Sequence, residues 1–390
     1  MIAELAADEN LRRREFPICA RKIYCAHAAD APLPRRVAEA MKESIERATI
    51  DARQYEEELE RIEETRKAVA ELLGCAVNEV AFTGPTASGL NTVANGLDWK
   101  AGDEVVCYLD DYPADVYPWL ALERRGVKPV LLEQPERLGE ITPENVERAL
   151  TSRTRLVALA SAHNVSGYAI DVDAIGALCR ERGVLFSVDA IQTLGAFPLP
   201  LANVDFASAG AQKWMLGPSG AGVMFVKESV RDRLRPAIIG GWNVVSPDFI
   251  TQPKVEFESG PRRFEPGAYT HSVLAGLRAA VALLLSAGPT NVSSRILELT
   301  QILRDQLDSA GCEILTPGES KNRCGILTFR HSRIASQEIW ESLRQSDIVV
   351  SLRTDRADRS WLRVSPHFYN TEAEIAKLAD VVTRAIKRAS

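Results

Sequence analysis

Apolar positions fall into two patterns along this chain. Short runs that are apolar nearly throughout read as strands covered on both faces, and stretches with apolar residues at helical spacing read as helices. Strands are predicted at Glu79 to Thr83, Val105 to Leu109, Pro129 to Leu132, Leu156 to Ser161, Val184 to Val188, Phe206 to Ala209 and Ala221 to Val226. Between them lie helical patterns at Thr86 to Gly96, Tyr117 to Arg125, Pro143 to Ala149 and Val172 to Arg182, the last closed by Gly183. Strands alternating with helices predict an α/β fold with a mainly parallel central sheet and helices on both faces. Ahead of this, Pro34 opens a long charged helical stretch that Gly74 stops after Leu73, with a break near Thr49 to Ala52. After about Pro253 the character changes. Helices at Ser272 to Ser286, Val292 to Ala310 and Glu372 to Arg388, with strands near Gly325 to Phe329 and Val349 to Leu352, read as a smaller α+β domain. The expected division is an N-terminal segment, 1–30, packing with the small domain, a large domain over 31–255 and the small domain over 256–390.

Composition narrows the classes. With 390 residues, 46% of them hydrophobic and 26% charged, the chain has ample material for a buried core. A formal charge of -6 argues against a protein built for nucleic acid. The longest apolar run, Ala279 to Leu285, falls well short of the ~20 residues of a membrane span, and Met1 to Arg14 has no signal-peptide pattern. Seven scattered cysteines without a C-x-x-C pair suit reduced thiols in a cytoplasm, not a zinc site or a disulfide framework.

In open α/β sheets ligands bind at the carboxyl ends of the strands, so the polar residues there are the candidates. Gly84-Pro85-Thr86-Ala87-Ser88-Gly89 follows the first strand and enters a helix, which makes either a phosphate cradle or a plain capped turn. Asp111 and Tyr112 follow the second strand; a tyrosine there stacks on a flat ring or simply packs. His163 and Asn164 follow the Leu156 strand, His163 as a base or as a hydrogen-bonded structural residue. Asp189 ends an apolar strand, with Gln192 three residues on. A buried carboxylate needs a partner, and a protonated pyridine nitrogen is one; a helix cap is the other reading. Lys213, within Gly210-Ala211-Gln212-Lys213-Trp214, lies between two apolar strands. A desolvated lysine has a lowered pKa and forms Schiff bases. The set in order is the parts list for pyridoxal phosphate.

On these residues the chain resembles fold-type I pyridoxal-phosphate enzymes of the class V aminotransferase family, in its cysteine desulfurase, selenocysteine lyase and isopenicillin-N-epimerase-like branch. The segments that carry the resemblance are Thr83 to Asn91, Asp111 to Trp119, Ser187 to Gln192, Ala209 to Trp214, Arg263 to Gly267 and Leu362 to Thr371. The resemblance implies pyridoxal 5'-phosphate as cofactor and Lys213 as the Schiff-base lysine. It implies that Asp189 pairs with the pyridine nitrogen, that Gln192 and Asn164 reach the phenolic oxygen, and that Tyr112 covers the ring. Thr86, Ala87 and Gln212 belong to the cofactor site, and Thr270 or His271 reaches in from the second subunit of a homodimer. Arg363 binds the α-carboxylate of an amino-acid substrate. Arg353, His27, Arg262 and Arg263 are candidates for reading its side chain.

The departures matter. Gln212 replaces a histidine usual in desulfurases, and Gly210 replaces a phosphate-binding serine. Desulfurases also carry a nucleophilic cysteine in a loop that aligns near Ile348, yet the chain has no cysteine after Cys324. Cys312 and Cys324 both read as core residues near strands. In the implied reaction an amino acid displaces Lys213 from the cofactor, and freed Lys213 takes the α-proton. Loss of a β-substituent then gives a cysteine or cystine C–S lyase; transamination and epimerisation are the alternatives. Without the loop cysteine, elimination or another non-desulfurase reaction ranks above sulfur transfer. A cofactor-binding scaffold without turnover is a further reading, opposed by the retention of Lys213, Asp189 and Arg363. A nucleotide-binding protein lacks its glycine patterns here.

Overall fold

The computed structural model describes residues 1–51, 55–132, 137–267 and 269–389, and statements of number or absence concern these residues. The chain opens with helices α1 (Ile2–Ala7) and α2 (Glu9–Glu15), a short strand β1 (Ile23–Tyr24), and two long helices, α3 (Arg35–Ile50) and α4 (Tyr55–Leu73). Asp51 already has an extended backbone; of the expected break between the helices, Ala52 lies outside the described residues.

The central sheet has seven strands: β2 (Val80–Phe82), β3 (Glu104–Cys107), β4 (Lys128–Leu131), β5 (Thr154–Ala160), β6 (Leu185–Asp189), β7 (Phe206–Gly210) and β8 (Gly222–Val226). Their order is β2-β8-β7-β6-β5-β3-β4. Only β8 runs against its neighbours. Because β2 and β7 are each antiparallel to β8, they point the same way, and six strands end on one edge. The period of two along each strand divides the side chains between two cores. Val157, Leu159, Phe186, Val188, Val223 and Phe225 join one cluster with Ile62, Val69, Leu277 and Val281 from helices. Leu156, Ala158, Leu185, Met224 and Val226 join the other with Leu90, Val93 and Trp119. That is why the strands read as unbroken apolar runs.

The connecting helices are α5 (Thr86–Gly96), α6 (Tyr117–Leu120), α7 (Pro143–Ala149) and α8 (Val172–Glu181). The helix expected over Tyr117 to Arg125 is only one α turn, tightening to a 3₁₀ turn over Ala121–Arg125 and ending at Gly126 with φ 76°. Helix α9 (His271–Ala287) packs its apolar residues into the core shared with the sheet.

A second sheet has the antiparallel order β12-β13-β10-β9, from β9 (Glu313–Ile314), β10 (Leu327–Arg330), β12 (Ser351–Thr354) and β13 (Ser360–Val364). Strand β11 (Ile348–Val349) pairs in parallel with β1, tying the N-terminal segment to this part of the fold. Helices α10 (Pro289–Ser309), α11 (Ser336–Gln345) and α12 (Glu372–Arg388) bury Leu299, Leu303, Ile339, Leu343, Leu378 and Val382 against Leu362 and Val364. No single helix is long and apolar enough to cross a membrane.

Candidate active site

Four adjacent parallel strands, β3, β5, β6 and β7, deliver Tyr112, Asn164, Asp189 and Lys213 to the same sheet edge, and β2 brings the Thr83 to Thr86 turn there too. The turn is pressed against the start of β8. A Cβ on Gly222 would lie 1.5 Å from the carbonyl oxygen of Gly84, so that close approach requires glycine. The Thr86 hydroxyl accepts the Gly210 N–H at 2.8 Å, locking the turn to the end of β7.

Lys213 is held from both sides. The Ala31 N–H donates to the Gln212 carbonyl at 2.7 Å. His367 accepts the Phe368 N–H on Nδ1, so its Nε2 carries the proton and donates to the Trp214 carbonyl at 3.0 Å. Leu216, fully buried, holds the left-handed conformation at φ 56°, and its N–H donates to the Lys213 carbonyl. A non-glycine residue in that region costs on the order of 1 kcal/mol, which the surrounding packing sustains.

The Lys213 amine lies 5.6 Å from the centroid of the Tyr112 ring and makes no salt bridge. Burial lowers its pKa to about 8, with Asp189 and Asp115 acting against that shift and Arg363 and Arg353 adding to it. Asp189 is 2% exposed. Its Oδ1 accepts the Ile191 N–H at 2.7 Å, and burial raises its pKa to about 6. Asp115, which the sequence analysis gave no role, is also buried and hydrogen-bonded to the Asp189 carboxyl. Two carboxyl groups bond to each other only through a shared proton. Burial, then the Asp189 charge, drives the Asp115 pKa well up, so Asp115 is the member that keeps it.

Arg363 reaches this edge from β13, on the face it shares with Ser351 and Arg353 of β12. It is 2% exposed and has no carboxylate partner. One Nη donates to the Asn164 carbonyl at 2.5 Å, the other approaches the Ser351 hydroxyl at 3.5 Å, and Nε has no partner. Burial lowers its pKa to about 9, the neighbouring Arg353 contributing. A buried guanidinium left unpaired is costly, and an anionic ligand relieves it.

Other expected residues stand elsewhere. His27 does not reach the site. It is fully buried; its Nδ1–H donates to the Ser365 carbonyl and its Nε2 accepts the Tyr369 hydroxyl, both at 2.8 Å. Burial lowers its pKa to about 4, so it is a neutral structural residue. His163 is structural as well. It accepts the Ser166 N–H and donates to the Asp110 carbonyl. Arg263 pairs with Asp232 at 2.8 Å. Thr270 is exposed and lines a cavity of about 680 Å³ with Thr83, Gly84, Ala87 and Ser88, whereas His271 pairs with Glu58 at 2.7 Å outside it. Beneath Thr270, Glu265 accepts Arg66 at 2.6 and 3.0 Å and the Phe82 N–H at 2.8 Å, anchoring that segment to α4 and β2. Gln212 occupies the space beside Gly210, where a Cβ would lie 2.3 Å from its Oε1.

The family model described as aminotransferase class-V matches residues 23–378. The chain belongs to that family. It is an enzyme, and its cofactor is pyridoxal 5'-phosphate. The residues present fit that group: Thr83 Oγ1 beside the Gly84 to Gly89 turn and Asn164 Oδ1 are buried without partners, Lys213 has no salt-bridge partner among the described residues, and the Asp189 carboxylate has no cationic hydrogen-bond partner. Among relatives, a probable cysteine desulfurase of Methanothermobacter thermautotrophicus is 27% identical, the match covering 95% of this chain and 96% of that one. One from Streptomyces coelicolor is 27% identical, covering 96% of each. The fold is that of solved structures of a Thermococcus onnurineus NA1 cysteine desulfurase (TM-score 0.89, 24% identity, 97% and 98% covered) and of a cystine C–S lyase in complex with its product cysteine persulfide (TM-score 0.86, 23% identity, 94% and 99% covered).

Proposed function

We propose that the chain is a C–S lyase acting on a sulfur amino acid such as cysteine or cystine, and that the released sulfur is never carried on a protein thiol. The names of the similar proteins support the sulfur substrate. The observation that carries the second half is the state of the cysteines. Burial raises the pKa of all seven thiols, Cys324 to about 12 and Cys312 to about 11. A thiolate is the nucleophile, and none is poised here. Cys324 is 1% exposed and donates its S–H to the Gly167 carbonyl.

The bound cofactor supplies a ring that accepts the electron pair left when the α-proton departs. Lys213 and Asp189 of this chain hold it, with Thr86 and Ala87 at the phosphate and Tyr112 over the ring. Gln192 and Asn164 serve the phenolic oxygen. Arg363 orients the substrate by its α-carboxylate, with Arg353 beside it. Lys213 Nζ, neutral above about pH 8, takes the α-proton. Breaking the Cβ–S bond sends its electron pair to sulfur. After hydrolysis the carbon fragment leaves as pyruvate with ammonia.

Exposed Ile238 on the rim of the cavity of about 680 Å³, in a segment that also exposes Ile239, Phe249, Ile250 and Val255, supports a homodimer in which a second copy brings Thr270 to the Thr83 to Thr86 turn. Seven free thiols suit a reducing compartment. Product analysis tests the reaction. Pyruvate and ammonia from cysteine or cystine support it, and alanine in their place refutes it.

A further inference from the structure

Trp214 follows Lys213 directly and is fully buried. Its indole Nε1–H donates to Gln192 Oε1 at 3.0 Å, and Gln192 Nε2 donates to the Ala28 carbonyl at 3.2 Å. The oxygen and nitrogen of a carboxamide are nearly isosteric, so shape alone does not orient it. Here orientation is forced twice. An indole N–H only donates, so the amide oxygen must face Trp214. A backbone carbonyl only accepts, so the amide nitrogen must face Ala28. One N–H of Gln192 remains, on the turn that begins at Asp189.

We propose that Trp214 is a positioning residue that fixes the Gln192 amide as a hydrogen-bond donor toward the cofactor's phenolic oxygen. This rests on the cofactor-binding role given to Gln192 above. Trp214 is itself immobile. Its carbonyl accepts His367, and its ring is so close to Gly325 that a Cβ there would lie 2.3 Å from the indole Cη2. Rotating the amide would set its nitrogen against the indole N–H, donor against donor, and leave an acceptor toward an oxygen that carries negative charge. The arrangement admits one orientation, the one that stabilises an ionised phenolic oxygen.

A donor to that oxygen weakens its hold on the proton of the neighbouring lysine-bound nitrogen. Removing the donor therefore moves the pH midpoint of the lysine-bound chromophore upward. The charged groups that act on Lys213 are Asp189 and Asp115 from the sheet side, Asp30 from the N-terminal segment, and Arg363 and Arg353 from the second sheet; His367 behind Trp214 is neutral. None changes in the variants below.

The experiment is a spectral pH titration of the cofactor-loaded protein. In Trp214→Phe the midpoint is expected to rise by about one pH unit, the size of one hydrogen bond's preference between two protonation states. Gln192→Leu should give the same rise, and the double variant should match Gln192→Leu alone. An unshifted Trp214→Phe overturns the proposal. So does a shift that adds in full to that of Gln192→Leu, because a packing defect persists when Gln192 is gone. If Trp214→Phe leaves the midpoint unmoved while Gln192→Leu raises it, the inference fails alone; if Gln192→Leu also leaves it unmoved, the inference falls together with the role given to Gln192. Wild type without any visible chromophore overturns it together with the cofactor site of Lys213.

Discussion

The Lys213 amine faces the Tyr112 ring at 5.6 Å from its centroid, and the two come from different strands of one sheet edge. Strand order brings them together: Tyr112 follows β3, Lys213 follows β7, and β5 and β6 between them carry Asn164 and Asp189.

Cofactor loading should report the state of Lys213. An ordinary lysine titrates near 10.5, whereas burial brings this one to about 8. Attack on an aldehyde requires the neutral amine. The loading rate should rise with pH up to about 8 and then level off, instead of rising toward 10.5. Stopped-flow absorbance measures this, and Lys213→Ala, without added amines, should never form the lysine-bound band.

Arg363→Lys keeps the charge and loses the planar fork. Hydrogen bonds to charged groups contribute about 1.5–3 kcal/mol each. KM for the amino acid should rise on the order of 10- to 150-fold, with cofactor binding unchanged; steady-state kinetics and a cofactor titration separate the two.

Asp115 makes a stability prediction with a definite sign. Its folded pKa lies well above the ordinary 3.8. The unfolded chain therefore releases this proton as pH rises past about 4 while the folded chain retains it, and that difference destabilises the fold at higher pH. Asp115→Asn has no proton to lose and still offers Asp189 an N–H. Relative to wild type, Asp115→Asn should gain stability between pH 4 and 8 in urea titrations. Asp115→Leu, with no donor for Asp189, should bind cofactor on the order of tenfold more weakly.

Gly222→Ala places a methyl group in the Gly84 carbonyl. Both sides are backbone, so neither yields cheaply. Urea unfolding should show a loss of about 3 kcal/mol or more, with cofactor affinity falling as the phosphate turn is displaced.

The sequence makes the large sheet legible because six of its seven strands are buried on both faces, Leu156 to Ser161 among them, with only the edge strand β4 partly exposed. Helix α5 is equally plain, opened by Pro85 and apolar along one side. The second sheet is harder. Strands β1 and β9 are two residues long, too short for a period. Strand β13 is a motif in the sequence before it is a strand, since Arg363 interrupts its apolar run. Helix α11 starts at Ala335 without a capping side chain, although Ile339 and Leu343 mark its buried face. At the site, order along the chain reveals Lys213 and Asp189. It does not reveal that His27 is sealed among aromatic rings, nor that Asp115 and Trp214 hold the site residues in place. Those depend on contacts across more than 20 residues of chain, such as Trp214 to Gln192. An acid three residues after Tyr112 and a tryptophan beside the lysine are the signals the sequence offers.

With all seven thiols held protonated by burial, sulfur is expected to leave the substrate without passing through a cysteine of this chain. The most direct test is the intact mass of the protein during turnover of cysteine, without reductant. The polypeptide mass should stay unchanged while sulfur is released into solution. One added sulfur atom on the protein, mapped by peptide analysis to Cys324, Cys312 or any other thiol and lost on reduction, would contradict it.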